Sequence, residues 1–195
     1  PASLPPRLRH VTLLDEGRLA AACAAAGAAP LAKPCGEVAA ELQALCAPLQ
    51  DYLEPAEASE ALLKELGVPE HVLERYGASM DLVGRHSRRS LCVTKNYARF
   101  VKGTGSIVCE GLDAEAAVPR GADEKTLGAL APLRPRYFAP CELARLHGFP
   151  PGFAFPGAIS RKKQYELLGN SLSVDVVAAL LAEVLLAPEC ARAAA

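Results

Sequence analysis

The chain has 195 residues, of which 51% are hydrophobic and 22% are charged, and its formal net charge at pH 7 is −1. This length and balance allow a well-packed core and exclude a wholly disordered polypeptide. Seven cysteines are scattered without a C-x-x-C pair and four histidines show no ligand spacing, so neither a disulfide framework nor a metal site is predicted. The Ala-rich run near the start is interrupted by charges, and the apolar run at 176–187 is short and contains Glu183. We therefore expect no signal peptide, no membrane span, and a soluble intracellular protein.

Hydrophobic spacing, capping residues, and Pro or Gly interruptions divide the chain into segments with different predicted structures. In chain order these are a strand (9–14), an Ala-rich linker (19–34), three helical segments (36–53, 59–67 and 70–83), an extended segment (90–110), a short helix (139–149), a Pro-Gly-aromatic loop (150–157) and a closing helix. Ser59 is predicted to cap the second helical segment and Gly67 to end it. Gly148 is predicted to end the short helix.

Charge is segregated along the chain in a way that the net value hides. Residues 37–81 carry ten acidic and two basic side chains, Lys64 and Arg75, whereas residues 82–109 carry six lysines or arginines and no acid. Tyr97 and Phe100 lie among these cations, and interleaved basic and aromatic residues are typical of phosphate contact and base stacking. The alternative is a solvated positive face that pairs with the acidic segment. The smaller basic cluster at 161–163 could bind phosphate or form a solvated loop.

Two other short motifs could contact an anion. Arg7 and Arg9 alternate at the start of the predicted strand, so both side chains point to one side and form a fork for a phosphate, a carboxylate or a base edge. Two solvent-facing arginines are the alternative. The KGTGS stretch at 102–106 contains a G-x-G, but the segment after it has strand character. This favours a turn over a phosphate loop.

The stretch YELLGNSLSVDVVAALLAEVLL, at 165–186, contains an unusual helix start. Its apolar residues recur at helical spacing, which predicts one buried stripe. The stripe comprises Val174, Val177, Leu180 or Leu181, and Val184. Gly169, Asn170 and Ser171 precede it, although one small polar residue is enough to cap a helix. Either this is a capped core helix, or its N-terminus faces an anionic ligand.

Several of these stretches occur together, in order, in one family. RYFAPCELARLHGFPPGFAFPG (136–157) and YELLGNSLSVDVVAALL (165–181) are similar to the last two motifs of the cytosine-C5 methyltransferases. RRSLCVTKNYARFVKGTGS (88–106) resembles the segment from Cys-Phe-Thr to Gly-Thr-Gly-Ser that marks the branch acting on tRNA-Asp. SLPPRLRHVTL (3–13) resembles the Arg-x-Arg motif that precedes the target-recognition region. Three positions depart from the family pattern: Val93 replaces Phe, Ala98 replaces a usual Gly, and Glu166 stands where a basic residue is frequent.

The resemblance implies an α/β fold, namely the C-terminal portion of a Rossmann-like S-adenosylmethionine-dependent methyltransferase with a mostly helical target-recognition segment. It divides the chain into the end of the cofactor domain (1–18), the Ala-rich linker (19–34), the target-recognition region (35–134) and the last two motifs with the closing helix (135–195). The closing helix is expected to pack back on the cofactor domain.

The same resemblance implies S-adenosylmethionine as cofactor and tRNA as partner, with methyl transfer to C5 of cytosine 38 in the anticodon loop of tRNA-Asp. Asn170 and Ser171 would contact the methionine part of the cofactor. Arg7 and Arg9 would support catalysis by steadying the active-site loop and the surroundings of the target cytosine. The residues implied to contact RNA are Arg88, Arg89, Cys92, Thr94, Lys95 and Tyr97.

Three catalytic motifs of the family do not occur in this sequence: the nucleophilic Pro-Cys-Gln, the Glu-Asn-Val and the Phe-x-Gly-x-Gly cofactor loop. We therefore expect the chain to be the C-terminal half of such an enzyme and to be inactive alone. We also expect a monomer that is located in the cytoplasm, with the nucleus as a further location. One alternative is a non-catalytic RNA-binding product. The other is part of a DNA cytosine-C5 methyltransferase, against which the stretch from Cys-Val-Thr to Gly-Thr-Gly-Ser argues.

Overall fold

The computed structural model describes residues 46–112, 118–119, 121 and 123–184. The predicted strand at 9–14, the Ala-rich linker, Arg7 and Arg9 lie outside these residues. The helices within them are α1 (Ser59–Leu66), α2 (Glu70–Tyr76), α3 (Leu127–Leu130), α4 (Pro140–Leu146), α5 (Arg161–Gly169) and α6 (Val174–Val184). The strands are β1 (Leu82–Val83), β2 (Ile107–Cys109) and β3 (Pro135–Arg136), and 3₁₀ turns are found at Leu49–Asp51, Ala56–Ala58, Gly77–Ser79 and Ala131–Leu133.

Within the described ranges, a small mixed sheet in the order β1-β2-β3 lies at the centre of the packing. β1 runs parallel to β2, with Leu82 opposite Ile107 and Val83 opposite Val108, and β2 runs antiparallel to β3. Successive strand side chains point to opposite faces. Accordingly Val83 and Val108 enter one buried cluster, while Leu82 and Ile107 enter another. Both faces of the sheet are therefore buried.

The two buried clusters join different parts of the chain. The α4–α5 cluster comprises Leu49, Leu53, Val83, Val93, Tyr97, Val108, Phe138, Leu143, Ala144, Leu146, Tyr165 and Leu168. The α2–α3 cluster comprises Val68, Leu73, Met80, Leu82, Ile107, Cys109, Leu112 and Leu130. Full burial of a large apolar side chain contributes about 1.5–3 kcal/mol. The α4–α5 cluster therefore fixes α5 against the residues that connect β1 to β2, and this places the candidate site.

The predicted ends of two helices are confirmed, but one predicted cap is wrong. Gly67 closes α1, since its N–H donates to the carbonyl oxygen of Leu63 at 2.9 Å. Gly148, with φ +75°, follows the end of α4 in the left-handed conformation that glycine favours. Ser59 does not cap α1. It is the first helical residue, and its hydroxyl donates to Oε2 of Glu110 at 3.0 Å instead of accepting from its own helix.

Two predicted segments are shorter in the structure than in the sequence pattern. The helix expected over 70–83 ends at Tyr76, and Leu82–Val83 form β1 instead. In the segment expected to be extended over 90–110, Ile107–Cys109 form β2. The preceding residues belong to the connection between β1 and β2, which we call the basic loop (84–106). The predicted turn at KGTGS is present, and Gly103 in it has φ +66°.

The closing helix is preceded by α5, which was not predicted. Ser160 caps α5 by accepting from the N–H of Lys163 at 3.4 Å, so residues 161–163 form the first turn of a helix rather than a loop. The predicted buried stripe of α6 is wrong for Val174, which is 40% exposed. Leu181, one of the two alternatives predicted for a later position of the stripe, is 47% exposed.

Candidate functional site

The Gly-Asn-Ser stretch lies at the end of a helix rather than at the start of one. Gly169 is the last residue of α5, and the N–H of Asn170 donates to two carbonyl oxygens one turn earlier, at 3.2 and 3.3 Å. The hydroxyl of Ser171 donates to the carbonyl oxygen of Leu168 at 2.6 Å. α6 begins only at Val174. The prediction that these small residues start a helix is therefore wrong, because they end α5 and turn the chain toward α6.

Gly169 lies directly against the backbone of the basic loop. A Cβ at this position would be 2.1 Å from the carbonyl carbon of Thr94 and 2.2 Å from the backbone nitrogen of Lys95. No side chain fits between two backbones at these distances, so the close approach requires glycine. The Cys-Val-Thr and Gly-Asn-Ser segments, which are far apart in the sequence, are thus in contact.

A cleft of about 220 Å³ lies beside this contact. Its lining comes from residues 90–93 of the basic loop, the end of α4, and residues 171–173. The cleft therefore brings together Cys92, which was predicted for the RNA side, and Ser171, which was predicted for the cofactor side. His147 also lines it, and its Nδ1 donates to the carbonyl oxygen of Leu143 at 2.8 Å, which leaves Nε2 of the neutral ring as an acceptor.

Asn170 and Ser171 present polar groups that suit the amino-acid end of a cofactor. Asn170 is exposed, and its side-chain amide makes no hydrogen bond to another described residue. An amide can donate to a carboxylate and accept from an ammonium group. The neighbouring cleft is smaller than the ≈ 300–1,000 Å³ of typical ligand pockets. The contact of Asn170 and Ser171 with a cofactor therefore stays a prediction.

Three arginines at the start of the basic loop are held by the protein itself. Arg88 donates to the carbonyl oxygen of Cys46, and Arg89 pairs with Asp81 at 3.3 Å. Arg85 pairs with Glu110 at 3.0 Å. The alternative interpretation, in which basic residues pair with the acidic segment, is thus confirmed for Arg89. Arg89 is half-buried and offers only part of its guanidinium group to a ligand, whereas Arg88 is exposed.

The later part of the basic loop presents its charge to solvent. Lys95 and Lys102 are exposed, and neither forms an ion pair with another residue in the described ranges. The N–H of Thr94 donates to the carbonyl oxygen of Thr104 at 2.9 Å, which closes the loop on itself. Cys92 is exposed and Thr94 is half-buried. Of the residues predicted for RNA contact, Arg88, Cys92 and Lys95 are therefore exposed, although Arg88 donates to the carbonyl oxygen of Cys46.

Tyr97 is a core residue, and its burial contradicts the predicted contact with RNA. Its side chain is only 3% exposed, and its ring meets that of Tyr165 edge to face at 5.3 Å. Its hydroxyl donates to the carbonyl oxygen of Ser106 at 2.7 Å and accepts from the N–H of Phe138 at 3.0 Å. Burial raises the pKa of this hydroxyl well above its usual value. Tyr97 therefore ties the basic loop to the α4–α5 cluster.

A buried ion pair between Arg136 and Glu142 holds the end of β3 against α4. Both side chains are 0% exposed, and two parallel hydrogen bonds of 2.8 Å join the guanidinium to the carboxylate. Glu142 also accepts from the backbone N–H groups of Ala139 at 2.7 Å and Glu54 at 2.9 Å. The geometry is bidentate and the remaining lone pairs are used, as a buried ion pair requires.

Glu110 extends this network toward the basic loop. It accepts from Nε of Arg136 at 2.7 Å and from Nε of Arg85 at 3.0 Å. Burial disfavours the charge on Glu110, but the hydrogen bond and charge of Arg136, together with the charge of Arg85, hold its pKa below the usual 4.5. The network was not identified from the sequence. The one sequence signal for this network is that Arg136 and Glu142 are charged residues that each lie within a mainly apolar stretch.

Two classes of site receive no support from the described part of the chain. In it, no group of three or more His, Cys, Asp or Glu side chains is placed to hold a metal ion. None of the helices in the same residues is long and apolar enough to cross a membrane.

Comparison with known proteins shows the family. Residues 64–185, more than half of the chain, match the family described as C-5 cytosine-specific DNA methylase. The chain therefore belongs to the cytosine-C5 methyltransferase family, and the predicted resemblance is confirmed.

Individual relatives agree with this assignment. The chain is 43% identical over 138 residues to the tRNA (cytosine(38)-C(5))-methyltransferase of Mus musculus, which covers 68% of this chain and 32% of that protein. It is 37% identical over 143 residues to a DNA (cytosine-5)-methyltransferase of Dictyostelium discoideum, covering 73% of this chain and 36% of that protein. The crystal structure of the S. pombe Dnmt2 methyltransferase superposes with a TM-score of 0.61 at 33% identity, covering 71% of this chain and 42% of that chain. The chain thus spans about a third of the length of the curated relatives it matches, and its α/β fold is the matching part of a methyltransferase fold.

Proposed function

We propose that this chain supplies the RNA-recognition and closing parts of an S-adenosylmethionine-dependent tRNA cytosine-C5 methyltransferase. The observation that carries the proposal is the contact of Gly169 with Thr94 and Lys95. It places the segment predicted for the cofactor beside the segment predicted for RNA, and the two share one cleft. Methyl transfer from the cofactor to a nucleic acid requires that the cofactor-binding and nucleic-acid-binding segments lie next to each other. The relative named for tRNA cytosine 38 supports tRNA as the substrate.

The described residues suit binding and positioning rather than bond making. Lys95 and Lys102 would hold the RNA backbone through phosphate contacts, since both ammonium groups are exposed. Asn170 and Ser171 would hold the amino-acid end of S-adenosylmethionine, which when bound supplies the methyl group to C5 of cytosine. The target base must leave its stack to reach the reacting groups. The family's nucleophilic Pro-Cys-Gln is not in this sequence, so the covalent step requires another polypeptide segment.

The exposed apolar residues support a partner segment of this kind. Leu172 is 71% exposed, and Val174 and Val176 are each 40% exposed. They lie at the start of α6, where the family resemblance places contact with the cofactor domain. Clustered exposed apolar residues mark interaction surfaces more than scattered ones do. We propose that the cofactor-binding half of the enzyme covers this face, and that Arg7 and Arg9 steady the active-site loop of the enzyme.

RNA binding is the first test. An anticodon stem-loop of tRNA-Asp is titrated with the full chain at several salt concentrations. Replacing one phosphate-contacting lysine lowers the slope of log K against log salt by about 0.7 for a single strand. We expect this change for Lys95→Ala and for Lys102→Ala, and no change for Lys64→Ala, an exposed lysine on α1. Equal behaviour of Lys95→Ala and Lys64→Ala would rule out the basic loop as the RNA contact.

Reconstitution tests the enzymatic part of the proposal. The full chain is mixed or co-expressed with the remaining part of the mouse relative, and methyl transfer to tRNA is followed with labelled S-adenosylmethionine. We expect transfer only when both polypeptides are present. A complex that binds both ligands and forms without any transfer would instead favour the non-catalytic RNA-binding product.

A DNA substrate is the second candidate, because one relative is named as a DNA (cytosine-5)-methyltransferase. The discriminating probes are the same stem-loop made of DNA and a DNA duplex with a central cytosine. An RNA-directed enzyme loses affinity when the 2′-hydroxyl groups are removed, since these groups distinguish RNA from DNA. Equal or tighter binding of the DNA probes, with methyl transfer to them in the reconstituted complex, would establish the second candidate.

A further inference from the structure

A second and larger cavity, of about 500 Å³, is lined in part by another stretch of the basic loop. It lies between α1 and α2 on one side and the first turn of α5 on the other, with residues 97–101 of the basic loop as its third wall. We call it the α2–α5 pocket. Residues 90–93 of the basic loop line the cleft beside Ser171, while residues 97–101 of the same loop line this pocket. A strand of RNA following the basic loop would therefore meet both.

The lining of the α2–α5 pocket combines aromatic and apolar walls with a positive rim. Tyr76, Tyr137 and Val72 are half-buried lining residues. Among the described lining residues, the exposed cations are Arg99, Arg161 and Lys162, and the one carboxylate is Glu65. Glu65 is already paired with Arg161 at 2.5 Å. The guanidinium of Arg75 adds further positive charge 5.3 Å from the centroid of the Tyr76 ring.

The basic loop reaches the pocket through a strained residue. Ala98 has φ +60°, a left-handed conformation that is unfavourable for a residue with a side chain. Next to it, Tyr97 points into the α4–α5 cluster and Arg99 is exposed at the rim. Such conformations persist where surrounding packing enforces them, and they cluster at ligand sites. Here the bend at Ala98 is what separates the buried tyrosine from the exposed arginine.

We propose that the α2–α5 pocket binds one unstacked nucleotide of the RNA substrate, other than the target cytosine. This inference rests on the proposed function, because it requires an RNA substrate. The base would stack on Tyr76 and Tyr137, and its phosphate would lie against Arg99 and Lys162. Single-stranded RNA is recognised by splayed bases stacked on aromatic side chains, with cations on the backbone. A volume of about 500 Å³ falls in the range of a ligand pocket.

The test is a cycle between protein and RNA variants, performed with the full chain. Loop nucleotides of the tRNA-Asp anticodon stem-loop are made abasic one at a time, and each RNA is titrated with the wild type and with Tyr76→Ala. Stacking of one base contributes about tenfold in affinity. One abasic position should weaken the wild type by about tenfold and leave Tyr76→Ala unaffected. Abasic RNAs that weaken both proteins equally at every position would overturn the proposal.

A second variant keeps the test decisive if Tyr76→Ala fails to fold. The chain contains no tryptophan, so Tyr76→Trp introduces a single fluorophore into the pocket wall. We expect its fluorescence to be quenched as the stem-loop binds, and the abasic RNA identified above to bind without quenching. Tyr52→Trp is the matched control, since Tyr52 is also half-buried but does not line this pocket. No quenching at position 76 while the RNA binds would refute the pocket and leave the proposed function standing. Failure of any RNA to bind would refute both.

Discussion

The close approach of Gly169 to the basic loop gives a quantitative prediction for Gly169→Ala. The added Cβ would lie 2.1–2.4 Å from three backbone atoms of Thr94 and Lys95, whereas ordinary contact begins at 3.4 Å. The end of α5 and the loop must therefore separate by roughly 1 Å, since neither backbone can rotate away as a side chain could. Overpacking of this kind costs about 1–3 kcal/mol, and separating the buried Leu168 and Val93 nearby adds to it.

We expect Gly169→Ala to lower the free energy of unfolding by about 3–5 kcal/mol. For a chain of this size each kcal/mol corresponds to roughly 2–4 °C, so Tm should fall by at least about 6 °C. Urea unfolding followed by circular dichroism and by tyrosine fluorescence gives the free energy directly.

Gly128→Ala is the matched control for this measurement. Gly128 lies in α3, and a Cβ there would meet no atom within 4 Å. Alanine is favoured over glycine in a helix by about 0.5–1 kcal/mol, so this variant should be unchanged or slightly stabilised. If Gly169→Ala unfolded at the same urea concentration as Gly128→Ala, the contact between α5 and the basic loop would not exist in solution.

Three further predictions concern the ion-pair network and the strained residue. Glu142→Gln should cost about 3–5 kcal/mol, because it removes the bidentate carboxylate and leaves the buried charge of Arg136 to Glu110 alone. Glu60→Gln, at an 82% exposed side chain, should cost less than about 1 kcal/mol. Urea unfolding of both variants checks this, and equal costs would contradict it. Ala98→Gly should stabilise the chain by about 0.5–1 kcal/mol by relieving the left-handed strain, as measured by Tm, and a loss of stability would contradict it. Because the pKa of Glu110 is lowered in the folded state, its stabilising contribution is complete above pH 4.5 and is lost as the pH falls below that value. As the pH is lowered from 7 to 3, the free energy of unfolding should therefore decline less steeply for Glu110→Gln than for the wild type. Parallel curves of unfolding free energy against pH would refute this.

Local signals in the sequence predicted those features that depend on nearby residues. The ends of α1 and α4 at Gly67 and Gly148 follow from glycine itself, because the conformational freedom of one residue ends a helix. The turn at KGTGS and the family motifs were readable for the same reason. The α/β fold class also followed from motifs that occur in a fixed order.

Features that depend on distant partners were not predictable in this way. Tyr97 has Lys95 and Arg99 close to it in sequence, and this pattern is typical of a nucleic-acid surface. Only the bend at Ala98 turns its ring into the core, where its partners are Tyr165 and Phe138. A local charge pattern states which residues are basic but not which way each side chain points.

The buried ion pair and the Gly-Asn-Ser stretch illustrate the same limit. Arginine and glutamate are normally surface residues, so nothing local indicates that Arg136 and Glu142 are fully buried. The surplus of small residues after Leu168 predicts a helix start that faces a ligand. Gly169 is instead required by a backbone that lies far away in the sequence. In both cases the reason for the residue type is a contact with another residue that becomes its neighbour only in the folded chain.

The distance in sequence between these partners has a consequence for synthesis of the chain on the ribosome. The N–H of Glu54 and the ring of Tyr97 find their partners in Glu142 and Tyr165, which are translated much later. Contacts between distant residues form slowly because a long loop must close first. The part of the basic loop around Tyr97 therefore leaves the exit tunnel before the partners that anchor its ring exist. A nascent chain arrested before α5 would display the ring of Tyr97 without its partner Tyr165, and protease or chaperone access at that stage would report the order of assembly.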